Sequence, residues 1–446
     1  MVASLTSQAP LLDIPGPPQP ASDSNRLSPS DRAFHDWYRF VLSFPPHLVR
    51  QYLTAFGVEP GHCVLDPFCG TGTVLVESKK LGIDSVGVEA SPMAHFASTV
   101  KTDWSVDAAG LVNYARSVAD SASEALRVDG TYGREPFGCS APVAAKRLSE
   151  EQAPLLLAES ISPLPLHKTL ILLEAISNAS PSHYERYAKL ALSKALVRSI
   201  GNLQFGPEVG VGPRKLDAPV VDSWLDAVEG MARDLSDVEG SQHARAVPHL
   251  GDAREVVGLL APESVDAVIT SPPYPNEKDY TRTTRLESVL LGFIRNKDDL
   301  RAVKRGLLRS NTRGVYKADD DDSWVSDHPK IQRIAEEIEA RRIALGKTSG
   351  FERMYARVTR LYFGGMARHL AELRSALRPG ARLAYVVGDQ ASYLRVMIRT
   401  GQLIADIAES LGYELVGIDL FRTRLATATR EQLREEVVVL RWPGRR

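Results

Sequence analysis

Two short stretches carry residue types that could do chemistry together. The first is Ser271-Pro272-Pro273-Tyr274, which ends the apolar run Val265 to Thr270. Two prolines in a row cannot continue a hydrogen-bonded ladder, so the chain must turn outward at the end of a buried strand. That turn offers a hydroxyl, the carbonyls around Pro272 and an aromatic ring, placed at the edge where open α/β sheets bind ligands. The second is Asp66-Pro67-Phe68-Cys69-Gly70-Thr71-Gly72-Thr73, which follows the apolar Cys63-Val64-Leu65. A glycine turn between strand and helix lets backbone approach a ligand closely, and the helix N-terminus favours negative charge. Asp66, just ahead of the turn, suits a ligand that carries an ammonium group as well. The dinucleotide fingerprint GxGxxG is incomplete, because Leu75 stands where its third glycine would be.

Positioning these stretches side by side requires a sheet. Seven strands are expected: Cys63–Asp66, Asp84–Glu89, Ala244–Leu250, Val265–Thr270, Arg382–Val387, Tyr413–Phe421 and Glu436–Trp442. Helices are expected between them, from Thr73 to Lys80, from Pro92 onward behind a Ser91 cap, from Phe351 to Leu377 and from Gly401 to Leu411. Alternating strands and helices predict a mostly parallel, doubly wound α/β sheet covered on both faces. The short link 422–435 predicts an antiparallel hairpin for the last two strands. Ahead of the sheet, Pro46 fits the first position of an amphipathic helix reaching Phe56.

Asp66 to Thr73, Glu89, Asp252 and Ser271 to Tyr274 together resemble the amino-methyltransferase family of DNA-modification enzymes. The likeness spans roughly 44–102 and 244–442. It implies a Rossmann-like methyltransferase sheet and S-adenosylmethionine as cofactor. Pro46, His47, Asp66, Pro67, Phe68, Cys69, Gly70, Thr71, Gly72 and Thr73 would border that cofactor. Glu89, with Ala90 after it, would take the ribose hydroxyls, and Asp252 with Ala253 would lie by the adenine. Ser271, Pro272, Pro273 and Tyr274 would be the catalytic tetrapeptide. Its serine form is typical of cytosine-N4 methylation, whereas aspartate or asparagine forms are typical of adenine-N6.

The implied chemistry needs these residue types. An aromatic exocyclic amine is a poor nucleophile because its lone pair is delocalised into the ring. Hydrogen bonds accepted from it by the Ser271 hydroxyl and a carbonyl near Pro272 would localise that pair for attack on a sulfonium methyl. Positioning and preorganised acceptors supply the rate, and Tyr274 offers a face for a base rotated out of the duplex. A carbon-5 cytosine enzyme would need a nucleophilic cysteine, usually after proline; Cys63, Cys69 and Cys139 follow His62, Phe68 and Gly138. Four readings stay open: cytosine-N4 methylation beside a restriction or defence nuclease, adenine-N6 methylation, RNA guanine-N2 methylation, and a non-catalytic DNA-binding subunit. The RNA enzymes usually carry an N-terminal RNA-binding domain, for which the stretch before the first motif leaves no room.

Two regions fall outside the likeness. Residues 103–243 show helical periodicity over Ala108–Ala125, Leu166–Ala179, Tyr184–Ile200 and Val221–Leu235, with a glycine-rich loop from Gly201 to Lys215. This inserted helical region is a candidate for reading DNA through Gln204, Arg214 and Lys215. A second insertion, 296–350, carries Arg301, Lys304, Arg305, Arg309, Arg313 and Lys317 before the acids Asp319 to Asp322. Its basic half, with Lys278 and Arg282 from the adjoining loop, predicts contact with phosphates.

Composition bounds the rest. The 446 residues are 43% hydrophobic and 24% charged, with a formal net charge of -1. The chain is therefore not uniformly basic, and nucleic acid would have to be held by local patches. Three cysteines give no disulfide framework and no zinc spacing, consistent with a cytoplasmic protein without a metal. No apolar run reaches the ~18 residues of a membrane span, and the start lacks a signal-peptide pattern. Residues 1–28, rich in Pro and Ser, read as a mobile tail.

Overall fold

The computed structural model describes residues 27–39, 44–132, 145–205, 209–276, 278–425 and 432–444. Most of the expected tail, and Cys139, lie outside these residues. Nine strands are described: β1 (Cys63–Asp66), β2 (Asp84–Glu89), β3 (Leu203–Phe205), β4 (Val209–Val211), β5 (Ala246–Leu250), β6 (Val265–Thr270), β7 (Leu377–Gly388), β8 (Glu414–Leu425) and β9 (Gln432–Arg441). Seven form one sheet in the order β5-β2-β1-β6-β7-β9-β8. Pairing is parallel from β5 through β7. Only β9 runs the other way, between β7 and β8. This is the expected α/β sheet with its closing antiparallel hairpin. The strand order reverses between β1 and β6, which makes a crevice at their carboxyl ends.

The central strands are buried on both faces, as parallel sheets require. Alternate residues supply two different cores. Val64, Ile269, Ala384 and Val386 face α1 (Pro46–Ala55) and α2 (Thr73–Lys80). Leu65, Val268, Leu383 and Tyr385 face the layer built by α11 (Pro329–Ala344), α12 (Tyr355–Leu373) and α13 (Thr400–Ser410). A third core joins α3 (Pro92–Thr102) to the four helices of the 103–243 region. These are α4 (Ala108–Val128), α5 (Pro163–Asn178), α6 (Glu185–Ala195) and α7 (Val220–Ser236). Trp37 and Tyr38 join that core, so the N-terminal aromatics serve the inserted region rather than the sheet.

Several boundaries differ from the expectation. β5 begins at Ala246 instead of Ala244, because Arg245 is turned to donate its amide to the Asp84 carboxylate. The turn expected at Leu377-Arg378-Pro379-Gly380 is a bulge at the start of β7, where pairing jumps from Val265–Leu377 to Ala267–Arg382. The loop from Gly201 to Lys215 contains the small β3–β4 hairpin. Asn202 organises it: its side chain accepts the Lys215 amide at 2.9 Å and donates to the Glu159 carbonyl at 2.8 Å. The stretch expected as one helix to Ile200 ends as α6 at Ala195 and continues as a wider turn over Leu196–Ile200. The helix expected from Phe351 runs only over Tyr355–Leu373.

After the short helices α8 (Tyr280–Thr283) and α9 (Arg285–Leu290), the second insertion adds α10 (Lys297–Gly306), a 3₁₀ turn over Asp321–Val325, and α11. It is tied to the loop after β5 by a charge cluster whose centre, Arg254 with Asp321, is buried. Arg254 pairs with Asp252 at 2.5 Å and with Asp321, and Arg368 reaches Asp321 at 3.4 Å and Glu255 at 2.9 Å. The turn also rests directly on α12, where a Cβ on Gly364 would lie 1.8 Å from the Asp321 carbonyl oxygen. Gly364→Ala is therefore expected to destabilise the protein by about 1–3 kcal/mol. Gly258→Ala, with nothing within 4 Å of the added carbon, should be near neutral. Denaturation midpoints of the two variants check this; equal midpoints would refute the close contact.

Candidate active site

The carboxyl ends of β1 and β6 meet through side chains. Thr270, the last residue of β6, donates its hydroxyl to Asp66 Oδ1 at 2.6 Å, and the Phe68 amide donates to the same oxygen at 3.2 Å. Asp66 is fully buried and its Oδ2 has no partner. Burial pushes its pKa up to about 7, against those two hydrogen bonds, which lower it. One carboxylate thus fastens the glycine turn to the strand that ends in Ser271.

Above it lies a cavity of about 350 Å³. Pro67, Phe68, Cys69, Gly70, Thr71, Thr73, Glu89, Ala90, Asp252 and Ala253 line it, and so do Ser271, Pro272, Pro273 and Tyr274. The two stretches singled out in the sequence therefore share a single cleft. Asp66 and Gly72 lie beneath the lining and shape it. Gly72 adopts φ 84°, which L residues seldom take, and a Cβ there would come within 3.1 Å of Ser98.

Each wall has a physical cause. Glu89 closes the glycine turn: its two carboxylate oxygens accept the Gly70 amide at 2.8 Å and the Ser91 amide at 2.7 Å. Each oxygen keeps a further lone pair for a hydroxyl. Burial raises the Glu89 pKa. Gly87 lets the turn lie on β2, since a Cβ there would sit 2.8 Å from Cys69 Sγ. Asp252 is held in the Arg254 cluster, and Ala253 is held by His369. Burial pushes His369 down to about 4, so the ring is neutral. Its nitrogens lie 2.7 Å from the Ala253 carbonyl and 2.7 Å from the Tyr385 hydroxyl. The carbonyl can only accept, so Nδ1 donates to it and Nε2 accepts from tyrosine.

The Ser271–Tyr274 turn is equally constrained. Ser271 donates its hydroxyl to the Val386 carbonyl of β7 at 3.1 Å. With its proton so used, the serine oxygen presents lone pairs, which is the polarity an amine requires. The Tyr274 ring lies against β7 at Gly388, where a Cβ would come within 2.8 Å of Cε2. Burial raises the Tyr274 phenol well above its ordinary range, keeping it neutral. Burial also raises the Cys63 and Cys69 thiols, which makes both poor nucleophiles.

Other expected positions fall elsewhere. Pro46 and His47 are not among the cavity-lining residues. Pro46 is buried as the first residue of α1, the His47 ring lies 6.4 Å from Phe421, and Phe44 occupies the wall instead. Arg309, expected on phosphate, is 5% exposed and grips Asp319 with two bonds of 2.8 Å, so its charge is neutralised within the fold. The Lys215 amine is turned inward onto the carbonyls of Ser199 and Gly201 at 2.8 and 2.7 Å. Arg214, Arg305 and Arg313 are exposed. Arg305 lies over the Tyr316 ring and Arg313 over Phe351, at 5.5 and 6.0 Å. Lys278 borders the cavity; Arg282 is half-buried and does not. Among the described residues, the lining takes Lys304, Gly306 to Asn311 and Gly314 from the second insertion and nothing from 103–243. Phe44, Ser310, Asn311 and Glu435 line the cavity and His369 supports it through the Ala253 carbonyl; none was among the candidate residues read from the sequence.

The sheet order reverses at β1/β6, and the Gly70 turn and Ser271 line one cavity there. Comparison with known proteins shows what the chain is similar to. Residues 20–98 match the DNA methylase model of N6- and N4-methyltransferases. The chain is 25% identical to type II methyltransferase M.BsoBI of Geobacillus stearothermophilus, covering 92% of this chain and 84% of that protein. It is 24% identical to type II methyltransferase M.AvaI of Anabaena variabilis, over 94% of this chain and 88% of the other. A tRNA (guanine(10)-N2)-dimethyltransferase of Methanothermobacter thermautotrophicus matches at 28% identity over only 28% of this chain and 35% of its own. Among solved structures, TrmN of Thermus thermophilus aligns with 92% of this chain and 52% of its own at 12% identity, with a TM-score of 0.28, too low to add anything about the fold. The matching family model and the relatives with broad coverage are thus DNA methylases of the N6/N4 kind and type II methyltransferases. Among the described residues no group of His, Cys, Asp and Glu could hold a metal ion, and no helix is long and apolar enough to cross a membrane.

The Asp66 carboxyl gives a pH test. Its folded pKa is raised to about 7, from an ordinary value of 3.8. Between these values the folded chain binds a proton that the unfolded chain does not, so stability falls as pH rises from about 4 to 7. In Asp66→Asn this contribution is absent. Denaturation of the ligand-free protein across that range should show the wild type losing stability relative to the variant; parallel curves would contradict a buried, protonatable Asp66.

Proposed function

We propose that the protein is an S-adenosylmethionine-dependent DNA (cytosine-N4)-methyltransferase that marks double-stranded DNA beside a restriction or defence nuclease. The observation that carries the reading is that Ser271, whose hydroxyl donates to Val386, lines one cavity with the Gly70–Thr71 turn. The cavity suits the cofactor. It offers two carboxylates, Glu89 and Asp252, for ribose hydroxyls and an adenine amine, the aromatic walls of Phe44 and Phe68, and the amide-bearing turn at Gly70. When bound, S-adenosylmethionine would supply an electrophilic sulfonium methyl.

The chain's own residues would do the rest. Tyr274 would stack on the target base, and Ser271 with a carbonyl near Pro272 would accept the amine's hydrogens. As charge develops on nitrogen, these fixed acceptors would stabilise it without rearranging. The serine form of the tetrapeptide favours cytosine over adenine. The resemblance to enzymes named type II methyltransferases supports a role beside a nuclease. Arg305 and Arg313, exposed near the cavity-lining segment and stacked on aromatics, are the best-placed groups for backbone phosphates.

DNA from a host expressing the protein, digested to nucleosides, is expected to contain N4-methylcytosine; N6-methyladenine in its place would reverse the choice of base. In the same assay Tyr274→Ala should keep its fold and lose activity by about a hundredfold or more, because the base loses its stacking face. Labelled-methyl transfer to tRNA and not to duplex DNA would overturn the reading altogether.

A further inference from the structure

We infer that Asn276 is a substrate-contacting residue, the donor that reads the ring nitrogen beside the methylated amine. The inference rests on the amino-methyltransferase reading and deepens it. Asn276 follows the tetrapeptide by two residues, is 6% exposed, and lines the same cavity as Ser271 and Tyr274. Its backbone is pinned, since its amide donates to the Tyr274 carbonyl at 2.8 Å. Its side chain is pinned as well, because Oδ1 accepts the Lys278 amide at 2.9 Å. A backbone N–H can only donate, so the atom it meets must be the amide oxygen, and the NH₂ group is left over. Among the described residues no acceptor takes a hydrogen of that NH₂, nor is it among the buried polar atoms without a partner, so it remains open to the cavity.

A near-buried, oriented donor in such a place points to an acceptor on the ligand, because a polar group left unpaired in a closed complex is costly. The target base has that acceptor next to its exocyclic amine: N3 in cytosine, N1 in adenine. Ser271 accepts from the amine and Asn276 donates to the ring nitrogen beside it. The pair reads donor then acceptor along one edge of the base. Uracil, thymine and hypoxanthine carry a carbonyl oxygen and an N–H there, so they meet both residues with like polarity.

The test is a double-mutant cycle on duplexes carrying the methylated site found in expressing cells. One duplex has the natural base. The other has 3-deazacytosine at that position, or 1-deazaadenine should the product be N6-methyladenine. The wild type should transfer methyl to the natural base faster than Asn276→Asp does by roughly tenfold or more, the worth of one hydrogen bond to a substrate. On the deaza base the two proteins should be nearly equal, since the C–H there has no lone pair to read. Asn276→Asp keeps the oxygen that the Lys278 amide needs, so the loop is preserved, and a circular-dichroism melt matching wild type checks this. Asn276→Ala removes both functions and should fall below Asn276→Asp on the deaza base. Equal losses in Asn276→Asp on both duplexes would overturn the assignment while leaving the methyltransferase reading intact. Absence of transfer by the wild type to any duplex would remove both.

Discussion

The hydrogen bond from Thr270 to Asp66 is the contact on which the site depends. It joins the ends of two parallel strands that are neighbours in space and far apart along the chain. Asp66 positions the glycine turn and Thr270 precedes the prolines that throw Ser271 and Tyr274 outward. Because the bond is buried, its geometry is fixed by the packing of both sheet faces. The carboxylate pays for this placement with a raised pKa and an unpartnered oxygen. Such a departure from a satisfied core is expected where function sets the sequence.

Around this contact the fold uses polar anchors to hold loops that a hydrophobic core cannot hold alone. Glu89 closes the glycine turn, His369 holds Ala253, and Arg254 ties Asp252 to the second insertion through Asp321. Ser271 is set by the backbone of β7, and the Tyr274 ring by the absence of a side chain at Gly388. Each anchor reaches across chain segments, so the cavity is a product of the whole sheet. Within the second insertion, Arg309 and Lys304 are paired inside the fold with Asp319 and Asp279.

Much of this was legible in the sequence. The glycine turn after Cys63–Asp66 and the prolines after Thr270 mark strand ends by covalent geometry, so both halves of the cleft could be placed without coordinates. The antiparallel hairpin followed from the short link before β9. What was hidden depended on partners remote in sequence. A run of basic residues reads as a phosphate surface until Arg309 is seen to be turned inward onto Asp319. Lys215 reads as a free cation until its amine is found on two carbonyls. Pro46 and His47 open α1 and stay outside the cavity, and Phe44, two residues ahead of the helix, lines it in their place. His369 bears no motif; only the packing of α12 against β7 and the loop after β5 brings it to Ala253.

The central claim is that the amine held at Ser271 and the methyl donor held over Gly70 meet across one cavity. The most direct measurement is an experimental structure with cognate duplex DNA and a non-transferring S-adenosylmethionine analogue. The account predicts the target base extruded against Tyr274, with its exocyclic nitrogen about 3–3.5 Å from the position of the donor methyl and in line with it. A base that stays in the duplex, or an analogue bound on another face of the sheet, would contradict it.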